Sequence, residues 1–384
     1  MSTTTATTTR EITFTAAARE ALSEAMAADP RIFVVGEGIG PRGGNFNTTT
    51  GLYELYGPMR LRDTPIVERG FVGMCTGAAM TGSRPVVDFM FVDFILDAMG
   101  ELINQVAKMQ YMSSGRLKMP MVLRGCIGIS GASATHHSGS YYPLFVNIPG
   151  LKVVLPSNAY DAKGLLTTAL KGDDPVLFLE HKLVLNNKGH VPEESYSIPF
   201  GQAAVVREGT QATVVALSSM VKKVSDACDS LAKESISIEL IDPRTVAPLD
   251  MDTVLQSVHK TGRLLIVDEA HNVAPSGRGH YATDSQRTEA IRTLAPHFEH
   301  KLFLSATPHN GYRESFAALL ELLDNQRFAR AVTPSREQLG AVMVRRMKAE
   351  LQDRWDGTPR FARRVVEPLE VPYTAAERQA HRAL

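Results

Sequence analysis

The sequence predicts an α/β protein, with two successive units in which strands alternate with helices and then a segment of different character. Three observations predict it. Strand-like apolar runs alternate with helical ones from residue 12 to about residue 270. Over residues 93–112, Phe94, Ile95, Ala98, Met99, Leu102, Ile103, Val106 and Met109 recur at helical spacing and make one continuous apolar face. After Ala270 the alternation gives way to a loop rich in Gly, His and Arg.

In chain order, residues 1–11 read as a disordered tail, because the first ten are polar and threonine-rich. A helix is expected over 16–28, and strands over 31–36, 85–90, 120–124, 152–156 and 175–180, which makes 12–185 the first unit. Residues 186–200 carry a glycine, two prolines and several charges without periodicity and read as a linker. The second unit, 201–270, shows strands over 213–217, 236–241 and 263–267 with a helix over 221–233. Beyond it, residues 271–384 hold an apolar run at 301–304, then Ser305-Ala306-Thr307-Pro308, a helix-like 313–323 and denser charge from Arg345 onward.

Composition narrows the class. Of 384 residues, 44% are hydrophobic and 21% charged, as in a folded globular chain. Lys plus Arg and Asp plus Glu number 41 each, so no global basic field draws in nucleic acid or an anionic membrane, and neither is expected as a partner. No run approaches the ~20 apolar residues of a membrane span, and the N-terminus lacks a signal peptide's apolar core. Cys75, Cys126 and Cys228 lie far apart with no C-x-x-C spacing, which gives neither a disulfide framework nor a metal site and fits a reducing cytoplasm.

Glu68 lies between a short apolar strand and a small-residue helix expected over 73–82. A carboxylate at such a junction either points into the crevice at the sheet end, where ligands of open α/β sheets bind, or caps the helix. His136 and His137 lie in a small-residue loop before an aromatic stretch, where a histidine can approach a substrate or simply be solvated. By periodicity Phe94 belongs to the core.

Pro65-Ile66-Val67-Glu68-Arg69-Gly70-Phe71, then Gly77-Ala78-Ala79, Pro85-Val86-Val87-Asp88-Phe89, His137-Ser138, Pro149-Gly150-Leu151-Lys152-Val153-Val154, Asp242-Pro243-Arg244-Thr245 and Lys260-Thr261-Gly262-Arg263-Leu264-Leu265 stand in this order. Together they resemble the beta subunits of pyruvate, branched-chain 2-oxoacid and acetoin dehydrogenases over residues 12–270. The resemblance implies a transketolase-like pyrimidine-binding domain over 12–185 and a truncated transketolase C-terminal-like domain over 201–270. It implies thiamine diphosphate as cofactor, with Glu68 on the aminopyrimidine as the catalytic, cofactor-activating carboxyl and Phe94 packing on that ring. It further implies that His137 positions the reacting intermediate or the incoming lipoyl group; His136 departs from the residue usual at its position.

The Gly-Asp-Gly run and later asparagine that hold magnesium diphosphate in thiamine enzymes are absent from this sequence. The resemblance therefore implies an alpha subunit that supplies the Mg2+ ligands, with no metal ligand expected on this chain. A lipoyl-bearing acyltransferase component and a second beta subunit are the other implied partners. The implied reaction is 2-oxoacid decarboxylation, or acetoin cleavage, with acyl transfer to a lipoyl arm.

A second resemblance covers 264–384. Leu264-Leu265-Ile266-Val267-Asp268-Glu269-Ala270-His271, Ser305-Ala306-Thr307 and Met343-Val344-Arg345-Arg346-Met347-Lys348 are similar to Swi/Snf-type superfamily-two helicase-like ATPases. This implies a partial RecA-like helicase lobe over 271–384, in which Asp268 and Glu269 hold magnesium and Arg345, Arg346 and Lys348 approach DNA. No G-x-x-x-x-G-K-[ST] loop exists in the sequence, so a nucleic-acid-dependent ATPase would lack its phosphate cradle. A nonfunctional fusion is the remaining alternative, since a second domain cut after its third strand would expose apolar surface and unpaired edges.

Overall fold

The computed structural model describes residues 9–130, 133–267 and 301–303, with isolated positions 320, 321, 328, 335 and 337–339. The chain divides into units 1–333 and 334–384. In the latter, the backbone N–H of Leu339 donates to the Ser335 carbonyl at 3.0 Å, one helical turn. The expected helicase-like segment, including Asp268, Glu269, Ser305-Ala306-Thr307, Arg345, Arg346 and Lys348, lies almost wholly outside the described residues.

The first half of the chain runs β1 (Thr9–Thr13), α1 (Phe14–Ala28), β2 (Ile32–Gly36), α2 (Leu52–Tyr56), β3 (Leu61–Asp63), α3 (Glu68–Met80) and β4 (Arg84–Phe91). A 3₁₀ segment (Val92–Ala98), α4 (Met99–Glu101), a π segment (Leu102–Val106) and α5 (Met109–Met112) lead to β5 (Val122–Ile127). A 3₁₀ turn (Thr135–His137), α6 (Tyr142–Val146), β6 (Lys152–Val154), α7 (Ala159–Lys171), β7 (Val176–His181) and β8 (Lys188–Pro192) follow. The second half adds β9 (Ala204–Arg207), β10 (Ala212–Ala216), α8 (Ser219–Ala232), β11 (Ile238–Asp242), β12 (Thr245–Ala247), α9 (Met251–Thr261), β13 (Leu264–Val267) and β14 (Lys301–Phe303).

The main sheet has seven strands in the order β12-β6-β7-β5-β4-β2-β3, parallel throughout except for β12. Its strands are apolar at consecutive positions because both faces are covered. Val35, Val87 and Leu177 join α3, the 92–106 segment and α6 in one core, while Val34, Val86 and Phe178 join α1 and α7 in the other. Successive side chains on a strand point to opposite faces, so this alternation sorts the two layers.

Helix ends follow local chemistry. The Thr13 hydroxyl accepts from the Ala16 amide at 3.2 Å to cap α1, and Asn158 Oδ1 accepts from the Asp161 amide at 2.9 Å to cap α7. Gly262, at φ 70°, ends α9 in the left-handed conformation that glycine adopts without strain.

Four expectations are corrected. The helix expected over 93–112 is four short pieces. Its buried residues explain the change: Val92, Ile95 and Ala98 are three apart, the repeat of a 3₁₀ helix, while Ala98, Leu102 and Val106 are four apart, a wider winding. Keeping one face on the sheet takes precedence over ideal α geometry. The tail expected over 1–11 is a strand from Thr9, and the linker expected over 186–200 contains its partner, since β1 and β8 pair antiparallel from Thr9 with Pro192 to Thr13 with Lys188. Ile12 and Val191 turn inward from this polar ribbon onto Ala17 and Ala159. The helix expected over 73–82 begins earlier, at Glu68.

The second sheet has the order β14-β13-β10-β11-β9, with β9 antiparallel to β11 and the rest parallel. Leu264, Leu265 and Ile266 of β13 pair with Lys301, Leu302 and Phe303, so the sheet continues past the expected cut with a strand from the last third of the chain. Leu320 and Phe328 of the same region are also buried.

Candidate active site

The C-terminal ends of the parallel strands β2, β4, β5 and β7 and the start of α3 carry the side chains of interest, along the edge where open α/β sheets bind ligands. Glu68 is the first residue of α3 and only 7% exposed, where its charge complements the positive end of the helix. Ile66 and Val67 just before it are 82% and 46% exposed, an apolar rim around a buried carboxyl. Glu37, just past β2, has its pKa raised by burial and next by the charge of Glu68.

The end of β4 is irregular. The pairing of β4 with β5 shifts register between Asp88 and Phe91, and Met90 takes a positive φ of 63° while its amide donates to Asp88 Oδ1 at 2.9 Å. A bulge of this kind re-aims the residues that follow it. It delivers Phe91 edge-on to Phe46 at 5.2 Å and to Phe94 at 6.1 Å between ring centroids.

His137 closes this aromatic group. Its ring lies 4.5 Å from that of Phe91 and 5.5 Å from that of Phe94, both edge-on. Lys182, the residue after β7, donates from Nζ to the His137 carbonyl and stands 5.2 Å from the Phe91 centroid. Burial lowers the Lys182 pKa, partly offset by Asp93 and Cys126. Asp93 Oδ1 accepts from the Gly139 amide at 3.0 Å, while its Oδ2 is buried without a hydrogen-bond partner. Burial, then Asp93, raise the pKa of Tyr141. Burial, then the Lys223 and Lys182 charges, lower His181 to about 4, which keeps this imidazole neutral at pH 7.

Of the three sequence-predicted site residues, Phe94 and His137 are therefore in ring contact, while the charge of Glu68 acts on Glu37. Phe71 and Val72 of α3 share a core with Ile95, which ties the helix of Glu68 to the segment of Phe94. Sequence reasoning missed Glu37, Phe91, Asp93 and Lys182. Each lies within three residues past the end of a predicted strand of the parallel sheet (31–36, 85–90 or 175–180), a positional signal that could have found them.

Comparison with known proteins agrees with this architecture. The profile of the transketolase pyrimidine-binding domain matches residues 10–188, and that of the transketolase C-terminal domain matches residues 201–281. The chain is 45% identical over 259 residues to the pyruvate dehydrogenase E1 component subunit beta of Rickettsia felis, covering 67% of this chain and 79% of that one. It is 44% identical over 285 residues to the acetoin:2,6-dichlorophenolindophenol oxidoreductase subunit beta of Cupriavidus necator, with coverages of 72% and 82%. The 2-oxoisovalerate dehydrogenase subunit beta of Bacillus subtilis is 43% identical over 250 residues, with coverages of 65% and 76%. A solved split-gene transketolase, described as an inactive beta4 tetramer, shares the fold at a TM-score of 0.55 and 20% identity, over 67% of this chain and 80% of that one. A parallel sheet with a buried glutamate at its ligand edge, the two domain profiles in sequence and relatives aligned over about four fifths of their length lead to one conclusion: the chain belongs to the family of 2-oxoacid dehydrogenase beta subunits.

Proposed function

We propose that this chain forms the pyrimidine-binding half of a two-chain thiamine-diphosphate active site that decarboxylates a 2-oxoacid, or cleaves acetoin, and passes the acyl group to a lipoyl carrier. The observation that carries the reading is Glu68, a buried carboxyl at a helix start on the ligand edge of the sheet. The surroundings fit the cofactor. A flat heteroaromatic ring needs a carboxyl at one edge and an apolar or aromatic surface against its face, and Glu68, with exposed Ile66 and Val67 beside it, and half-buried Phe94 supply these.

Thiamine diphosphate, when bound, supplies the carbanion chemistry of the reaction. Glu68 would share a proton between its carboxyl oxygen and the aminopyrimidine ring. Phe94 would hold the ring plane. His137, fixed on two aromatic rings, would orient the group being transferred.

An alpha subunit would bring the diphosphate and Mg2+ ligands, and exposed Ile66, Val67 and Met74 beside Glu68 leave that side of the crevice apolar and open for a second chain. A lipoyl-bearing acyltransferase and a second beta subunit complete the proposed assembly. For residues after Val267, the C-terminal-domain match runs to residue 281, across Asp268 and Glu269, and favours placing that pair in the second dehydrogenase domain over the ATPase reading.

The test is co-expression with a candidate alpha subunit, followed by calorimetric titration of thiamine diphosphate and Mg2+ into the purified complex of wild type and of Glu68→Gln. Saturable binding with turnover that the substitution abolishes supports the proposal. A stable complex that binds no thiamine diphosphate overturns it.

A further inference from the structure

We propose that Lys182 and Asp93 are positioning residues that clamp His137 from two sides, an inference that rests on the role given to His137 under the proposed function. His137 is the last residue of a three-residue 3₁₀ turn, too short to hold its own orientation, and the turn is entered through Ala134 at a positive φ of 54°. Two side chains from other elements fix it. Lys182 Nζ donates to the His137 carbonyl, and Asp93 Oδ1 accepts from the Gly139 amide at 3.0 Å, two residues downstream. Both bonds carry a full charge on one partner, which makes them stronger than neutral ones.

The anchors are rigid. Lys182 follows the inner strand β7, where Glu180, two residues before it, is locked to Arg124 by two bonds of 2.8 Å. Asp93 lies in the 3₁₀ segment that leaves β4, between Val92 and Phe94. The fit on the Asp93 side is tight, because a Cβ on Gly139 would lie 2.7 Å from Asp93 Oδ1 and 2.1 Å from the ring of Tyr141. A Cβ there would have to displace the Tyr141 ring and the Asp93 carboxylate.

The same two residues also fix what the imidazole packs on. Lys182 Nζ stands 5.2 Å from the Phe91 centroid, within cation–π range, and Asp93 and Phe94 are neighbours in the chain. The His137 carbonyl is therefore held by the ammonium, the chain two residues on is held at the Gly139 amide by the carboxylate, and the His137 ring packs on Phe91 and Phe94. The charges oppose one another, so the clamp introduces no net charge beside the reacting group.

The experiment uses Lys182→Met, Lys182→Arg, His137→Ala and the double variant Lys182→Met/His137→Ala in the full chain, assembled with an alpha subunit. Because small misplacements of a positioned group cost up to about 10²-fold in rate, Lys182→Met is expected to lower kcat by about that factor with KM for thiamine diphosphate unchanged. Lys182→Arg restores most of it. The double variant falls no further than His137→Ala alone, the signature of two residues acting as one unit. Additive losses, or a Lys182→Met chain with unchanged kcat, overturn the proposal.

A second readout needs no turnover. The ¹H–¹³C cross-peak of the His137 ring in the full chain, assigned by its loss in His137→Gln, carries ring-current shifts from Phe91 and Phe94. It is expected to move in Lys182→Met and to return in Lys182→Arg. A cross-peak that stays in place in Lys182→Met overturns the clamp even if no alpha subunit yields an active complex, and a peak that moves in an inactive complex retains the clamp while the functional reading fails.

Discussion

The Ser157 hydroxyl donates to Oδ2 of Asp242 at 2.5 Å, joining the loop after β6 in the main sheet to the end of β11 in the second. Asp242 is fully enclosed, and its Oδ1 accepts from the Arg244 amide at 2.8 Å. Burial, then the neighbouring Asp161 carboxylate on α7, push its pKa from 3.8 up to about 7, while the Ser157 and Arg244 bonds pull the other way. The folded state thus holds a proton that the unfolded chain has released between pH 4 and pH 7. Stability from this group is fully present below its unfolded pKa and is lost as pH rises through about 7. Asp242→Asn imitates the protonated form and should flatten this dependence. Urea unfolding at pH 5 and pH 8 is expected to show wild type losing on the order of a few kcal/mol relative to the variant over that interval.

Glu37 titrates in the field of Glu68, which raises its pKa after burial does. Glu68→Gln should lower kcat of the assembled enzyme by about 10²–10⁴-fold, the range for a lost proton-transfer group, with the circular dichroism spectrum unchanged. In the same variant the Glu37 midpoint should fall, because one of the two causes that raise it has gone. Carboxyl ¹³C titration measures this directly.

Phe94 is only half-buried, and its edge meets Phe91 and His137. Replacing it with Leu keeps an apolar side chain but removes the flat surface. Aromatic pairs contribute ~0.5–1.5 kcal/mol beyond area, so Phe94→Leu should weaken thiamine diphosphate binding by up to about 10-fold in calorimetry. Unchanged affinity would assign Phe94 to the core alone.

Arg124 and Glu180 form a bidentate pair across β5 and β7, each side chain 1% exposed. Removing one partner strands the other charge in the core. Glu180→Gln should therefore destabilise by about 3–5 kcal/mol, and Arg124→Met with Glu180→Leu should be milder than either single change. Urea midpoints of the three variants decide it. A double variant as unstable as Glu180→Gln would mean that repacking, not the lone charge, sets the cost.

Much of this was legible in the sequence because parallel strands buried on both faces leave apolar runs such as Pro85-Val86-Val87 and Val176-Leu177-Phe178. Glu68 stood out through its junction and, above all, through the family motif around it. What was not legible lies where tertiary partners decide. Thr9–Thr13 is polar and becomes a strand only because Lys188–Pro192 lies beside it. Thr245–Ala247 is three residues long and is defined by the edge of β6. Lys182 reads as a surface lysine until the His137 carbonyl, 45 positions earlier, is folded against it. The pairing of Lys301–Phe303 with β13 likewise depends on a neighbour that no local pattern could name.

The outer edge of the main sheet is covered by β12, which follows β11 of the second sheet in the chain. During synthesis β8, ending at Pro192, leaves the ribosome 55 residues before Ala247 does. At ~5–20 residues per second the amides and carbonyls of Lys152–Val154 stay uncovered for roughly 3–11 s. A bare parallel edge for that long is a template for pairing with another nascent chain, so this polypeptide has a built-in interval in which a chaperone, or slow translation beyond residue 192, decides between folding and aggregation.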